Sequence, residues 1–357
     1  MSVLFAILLF SFLIFIHELG HFMAAKLSGV QVNEFSLFMG PAIFKKQVGE
    51  TLYSVRTIPI GGYCAMEGED ADTDNPRSFQ KAALWKRLLI LVAGAAMNFA
   101  AGVLLLAIVY APAEKFAVPV ITSFEEGCLL EAPEGSDFGF KLGDRILKID
   151  GEKVYTSSDF SLILSLKPGE IHDVVVLRDG QRLGLDGMQM KMAEYPDGNG
   201  GTSLRYGFSF GLVDATFGNK LDFTWKTTLN TVRTVRMSLQ MLLSGQAGFS
   251  DMGGPVMIVD QMAEVAASSP TALDALLNML YFGAFIAINL SVMNLLPIPA
   301  LDGGRVAGLL ITAAIETVIG RKLNPKYESY IHGVGMVLLL ALMVVIMFKD
   351  IFAIFKG

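Results

Sequence analysis

Charge, cysteine and histidine are all scarce in this sequence. Of 357 residues, 17% are charged, 2 are cysteine and 4 are histidine, whereas 53% are hydrophobic. The mean hydropathy is +0.51. So little charge excludes an ordinary soluble globular protein and indicates an integral membrane protein. Cys64 and Cys128 fall in unlike stretches, which excludes a disulfide framework. No basic stripe with interleaved aromatics occurs, so nucleic acid is excluded as a partner. No basic residue precedes the first apolar run, Val3 to Ile16, and no small-residue cleavage site follows it. That run is expected to be a retained span rather than a secretory leader.

Two of the four histidines stand at the end of this run, in His17-Glu18-Leu19-Gly20-His21. Residues four apart share one face of a helix, so His17 and His21 can offer two imidazole nitrogens to one metal, with Glu18 beside them. This is the HExxH arrangement of a zinc hydrolase, here set at membrane depth.

Read in order, the chain divides into four regions. Residues 1–111 form an N-terminal membrane core, with a first span over about 3–25, a β-hairpin region over about 31–63 and a second span over about 88–111. The hairpin ends at Pro59-Ile60-Gly61-Gly62-Tyr63, and an exposed edge there could pair with an extended peptide. Asn98 in the second span is expected to act as interhelical glue among small residues such as Gly94, Ala95 and Gly102. Residues 115–192 alternate strand-like pieces with turns and a helix near Ser158–Leu166, and read as an inserted α+β domain. Between Pro112 and Arg205 there are 16 Asp or Glu against 10 Lys or Arg, an acidic excess that equals the whole-chain charge of −6. His172 in this domain is expected at a surface or turn. Tyr195 to Gly201 reads as a linker.

Residues 202–270 form a linker and interfacial-helix region, with an amphipathic helix, Leu221 to Leu243, expected at the membrane surface because Arg233 and Arg236 would be costly in hydrocarbon. Residues 275–357 form a C-terminal membrane core, with a third span over about 275–296 and a fourth over about 331–352. The third ends in Asn294-Leu295-Leu296-Pro297-Ile298-Pro299-Ala300-Leu301-Asp302-Gly303-Gly304. Pro297 and Pro299 must break the helix there, which such depth tolerates only where backbone lines a protein cavity. His332 is expected to pack or hydrogen-bond rather than to ligate.

Basic residues set the orientation. The stretch Lys26 to Arg87 holds eight Lys or Arg and Arg305 to Lys326 holds four, so both are placed in the cytosol, and the termini and inserted domain outside it. The first and third spans then both run inward, and HELGH and Asp302 can reach one metal. Catalytic zinc takes three protein ligands and keeps one open position. His17, His21 and Asp302 supply the three, and Glu18 is the candidate base.

These motifs together resemble the site-2 protease family of intramembrane zinc metalloproteases, of the bacterial regulator-of-sigma-E type. The carriers are HELGH at 17–21, Pro59 to Tyr63, Asn98, Gly254-Pro255-Val256, and Asn294 through Gly304. Phe138 to Gly151, with its turn at Gly143-Asp144, resembles bacterial PDZ domains. The resemblance implies a multi-pass α-helical membrane protein with about four transmembrane helices, a small membrane-associated β-sheet and one inserted extracytoplasmic PDZ-like α+β domain. It implies Zn2+ on His17, His21 and Asp302, catalysis by Glu18, and substrate handling by Asn294, Pro297, Pro299, Gly61 and Gly62, with Asn98 in support. The expected partners are single-span membrane protein substrates, such as anti-sigma factors or remnant signal peptides, and the lipid bilayer of the bacterial cytoplasmic membrane. The PDZ-like domain is expected to act as a size filter. Two other classes stay open: a gluzincin-like protease with Glu as third ligand, and a noncatalytic adaptor that holds membrane partners.

Overall fold

A computed structural model describes residues 2–69, 73–167, 169–196, 201–248, 254–321 and 326–356. The chain opens with helix α1 (Ser2–Ser28), which is apolar around its whole circumference, so it has to be covered on several sides. Two strands follow, β1 (Val32–Val48) and β2 (Thr51–Met66), joined by a two-residue turn. They are long enough to fold back on themselves. Residues 34–37 of β1 pair with 52–55 of β2 on one side and with 62–65 on the other. The β2 strand therefore continues through Pro59 to Tyr63, where the sequence pattern suggested that it stops. Its last segment is an edge: among the described residues no other strand pairs with it.

The hairpin turn is tied back to α1. Glu50 accepts from Arg77 at 2.6 Å and from Lys26 at 2.7 Å, and these two cations hold its carboxyl down to about 2. Within the sheet, the Arg56 guanidinium donates to Ser36 Oγ, the Gly40 carbonyl, Glu34 and the Tyr63 hydroxyl. Helix α2 (Leu84–Tyr110) comes next.

Residues 110–241 make a separate compact unit. Its sheet runs β10–β3–β4–β6–β7, with β5 against β4. The strands are β3 (Lys115–Phe124), β4 (Arg145–Ile149), β5 (Glu152–Lys153), β6 (Ile171–Arg178), β7 (Gln181–Gln189) and β10 (Phe208–Asp214), with helix α3 (Ser157–Leu166) packed on them. Strands β8 (Ala193–Pro196) and β9 (Thr202–Arg205) form a small hairpin. The expected linker therefore starts inside β8, and its centre, residues 197–200, lies outside the described residues. Asp144 is fully buried and is satisfied by two Arg178 bonds, at 2.8 and 2.7 Å, and by the Lys141 amide. Only such pairing makes a carboxylate tolerable in that core.

The unit is wider than the expected 115–192. Strand β10 adds to β3, and helix α4 (Phe217–Ser244) turns its arginines onto the same fold. Arg233 pairs with the buried Asp159 at 3.2 Å, and Arg236 with Glu152 at 2.7 Å. Both arginines thus find carboxylates within this unit. His172 is a correction to the sequence reading: it is 2% exposed, not at the surface. Its Nδ1 lies 2.7 Å from Asp150 and its Nε2 lies 3.1 Å from the Gly169 carbonyl.

The chain then returns to the first unit, residues 1–109 and 242–357, with α5 (Pro255–Ser268), α6 (Ala272–Asn294), α7 (Asp302–Ile319) and α8 (Lys326–Lys356). The Gly254 amide at the head of α5 donates to Asp350 of α8 at 2.9 Å. Four helices are long and apolar enough to cross a membrane: Leu4–Ser28, Leu84–Tyr110, Ala272–Asn294 and Tyr330–Asp350. They agree with the four expected spans. Helix α7 was not expected. It is amphipathic, and Leu309 on its inner face joins Ala25, Phe35, Met66 and Leu91 in a core beside the second half of α1. The first half of α1 packs through Leu9 and Leu13 against Met262 of α5 and Ile286 of α6. Both cysteines are free thiols.

Candidate metal centre

Helix α1 carries His17, Glu18 and His21 one turn apart, next to α2. The His17 and His21 Nε2 atoms are 3.1 Å apart. Asp302 Oδ2 completes a triangle with them, at 3.2 Å from His17 and 3.4 Å from His21. In a tetrahedral zinc site with bonds of about 2.0–2.1 Å, neighbouring ligand atoms are about 3.3–3.4 Å apart. The triangle matches that spacing.

Two further observations fit a cation here. Asp302 Oδ2 is buried with no hydrogen bond of its own, a costly state for a carboxylate oxygen that a cation would relieve. The Ile90 carbonyl takes the Nδ1 proton of His21 at 2.8 Å, which leaves Nε2 with its lone pair toward the triangle. The Asn294 side-chain amide stands 3.5 Å from His17 Nδ1. Helix α2 meanwhile presents Gly94, where a Cβ would lie 2.4 Å from His21 Nε2 and 2.8 Å from His17 Cε1. The space beside the imidazoles exists because that residue has no side chain.

Asp302 reaches the triangle by a route that the sequence pattern did not reveal. It is not on the third span but is the first residue of α7, beyond the turn that Pro297 and Pro299 impose. Gly303 and Gly304 make the turn possible. A Cβ on Gly303 would meet the Leu295 carbonyl at 2.3 Å, and one on Gly304 the Ile298 carbonyl oxygen at 2.1 Å. Ala300 within the turn has φ 83°, a left-handed conformation that costs a residue with a side chain roughly 1–3 kcal/mol.

A cavity of about 360 Å³ opens beside the triangle, lined by His17, Glu18, His21, Asn294 and Asp302, with Tyr63, Glu69 and Arg305 at its walls. Glu69 is the nearby carboxylate that could have replaced Asp302, but it is engaged by the Arg305 guanidinium. Among the other expected site residues, Gly62 lies against Glu18, since a Cβ there would be 3.4 Å from Glu18 Cγ. Gly61, Pro297 and Pro299 do not line the cavity. Asn98 is buried, and its Oδ1 has no hydrogen-bond partner, so it ties no helices together through that atom. Gly94, Glu69 and Arg305 escaped the sequence reading, because Gly94 looked like one more small packing residue and the other two are isolated charges.

The match to known proteins decides the class. The model of peptidase family M50 covers residues 5–342. This chain belongs to peptidase family M50. It is therefore a metalloprotease of the site-2 protease family, and its four apolar helices make it a membrane protein. It is 34% identical to a protein of Clostridium perfringens named as a zinc metalloprotease, over 98% of each chain. It is 32% identical to one of the same description from Fusobacterium nucleatum, over 100% of each. It is 26% identical to the regulator of sigma-W protease RasP of Bacillus subtilis, over 97% of each. For an M50 peptidase, the triangle at the foot of α1 is the candidate metal centre.

Proposed function

We propose that this M50 peptidase hydrolyses peptide bonds within transmembrane segments of single-span membrane proteins, using zinc held by His17, His21 and Asp302. The observation that carries the reading is the convergence of three ligand atoms, from residues nearly three hundred positions apart in sequence, at 3.1 to 3.4 Å. Zinc held there supplies Lewis acidity toward a carbonyl and toward water. Glu18 takes the proton of the attacking water and passes it to the departing amine. The Asn294 amide and the edge of β2 beside Glu18 hold the substrate backbone.

The edge strand answers a physical need. A substrate span arrives as a helix whose carbonyls are already bonded, and each group freed in lipid costs several kcal/mol. An unpaired strand at the cavity can re-pair an unwound segment. Gly or Pro in the substrate makes that unwinding easier.

In this reading the termini and residues 110–241 lie outside the bacterial cytoplasmic membrane, and the metal centre lies toward the cytosol, following the basic residues at 26–87 and 305–326. The inserted unit, PDZ-like by its sequence, hinders substrates with bulky external portions; anti-sigma factors and remnant signal peptides are the substrate types that fit. Removing the whole compact unit, residues 110–241, is expected to let untrimmed, bulky substrates be cleaved. If they stay intact while trimmed ones are cut, the filter idea is wrong.

The metal assignment has its own test. Asp302→Ala is expected to lower zinc affinity of the purified protein by at least about tenfold, read by metal content after dialysis against a chelator. Retention of zinc at the parent level would transfer the third-ligand role to another residue.

A further inference from the structure

We propose that His332 of α8 is a positioning residue for the metal centre, holding the turn that delivers Asp302. The inference rests on the reading of Asp302 as a zinc ligand. Ala300 sits two residues before Asp302 with φ 83°, a conformation that glycine adopts freely and alanine resists. Something must hold it there. The Ala300 amide donates to His332 Nδ1 at 3.3 Å, a bond between residues far apart in sequence.

The same helix face seats the rest of the turn. Gly335 lies so close that a Cβ would be 2.4 Å from Pro299 Cβ and 2.9 Å from the Pro299 carbonyl carbon. Met336 reaches the cavity itself, alongside Ala300, Leu301 and Asp302. Residues 332, 335 and 336 fall on one side of a helix by their spacing. Helix α8 thus brings no candidate ligand or base of its own, yet it fixes the backbone from which Asp302 projects. A carboxylate that must meet two imidazoles at once loses ligand geometry from a small shift of its backbone, and supporting contacts of this kind govern metal affinity.

The experiment uses the full-length protein in detergent, stripped of metal by a chelator and titrated with zinc alone. His332→Asn keeps an acceptor oxygen near the position of Nδ1, whereas His332→Gln, similar in size and polarity, carries it one bond further out. His332→Gln and His332→Ala are expected to weaken zinc binding about tenfold to a hundredfold, and His332→Asn to bind near the parent level. Ala300→Gly removes the resistance to positive φ, so His332→Ala should lose less affinity in that background than alone. Equal zinc affinity of the Asn and Gln variants, or parent-like affinity of His332→Ala, would overturn the proposal. An Asp302→Ala arm separates the two readings. If it keeps parent affinity, the ligand assignment fails; if it loses zinc while the His332 variants do not, only the role of His332 fails. Should His332→Ala not fold, the Asn and Gln pair decides.

Discussion

Glu18→Gln is expected to cut hydrolysis of a membrane-spanning substrate by about 10²–10⁴-fold, the usual contribution of a positioned general base. The bound zinc should stay. The amide is nearly isosteric with the carboxylate and still packs against Gly62, but it cannot accept the proton of water. None of the three ligand atoms of the triangle belongs to Glu18. Turnover of a single-span substrate in reconstituted vesicles, with metal content measured on the same preparation, checks both parts. Unchanged turnover would remove Glu18 from the chemistry and revive the noncatalytic adaptor. Loss of zinc together with activity would make Glu18 part of the metal's support instead.

Gly94→Ala should do the opposite: it should lose the metal first and activity as a consequence. A methyl group at that position would stand 2.4 Å from His21 Nε2 and 2.8 Å from His17 Cε1, distances that no packed carbon adopts. The imidazoles must turn, and His21 then gives up its bond to the Ile90 carbonyl or its place in the triangle. Zinc affinity is expected to fall at least about a hundredfold, at the upper end of what disrupted ligand support costs. Gly102→Ala, two turns further along α2, is the control. Its Cβ would press on Ile288 of α6 at 2.6 Å, so it should lower the unfolding temperature without changing zinc affinity. If both variants bind zinc like the parent, α2 does not bound the metal centre.

The two variants differ because they touch different parts of one cavity. Glu18 faces the β2 edge, where substrate is proposed to lie, and Gly94 faces the imidazoles. Arg305 and Glu69 close a third side as an ion pair, and this keeps the Glu69 carboxylate occupied. A Glu-ligated site of the gluzincin kind has no support from that arrangement.

Much of the frame was legible from local pattern. Uninterrupted apolar runs marked the four spans, because length and hydropathy along the chain are all that crossing a bilayer requires. HELGH declared itself through helical spacing, and alternation marked the hairpin. What failed was anything that depends on close approach between distant segments. Residues 302–319, which open with Asp302-Gly303-Gly304, were assigned no element from the sequence, yet they form the helix that starts at Asp302. The carboxylate partners of Arg233 and Arg236, Asp159 and Glu152, lie more than seventy residues earlier and left no local mark either. His172 looked like a turn residue because nothing local says that Asp150 will pair with it.

By itself, then, the sequence determined the chemistry on offer: two histidines and a glutamate at one turn's spacing on an apolar helix, and an aspartate after a proline break. Tertiary structure alone decided that the aspartate arrives through a new helix, that Gly94 leaves room for the imidazoles, and that α8 holds the turn at Ala300. The physical reason is range. Helical and strand periodicity act over a few residues and leave their mark in the local pattern, whereas a metal triangle is set by backbone contacts of ångström tolerance between segments hundreds of residues apart.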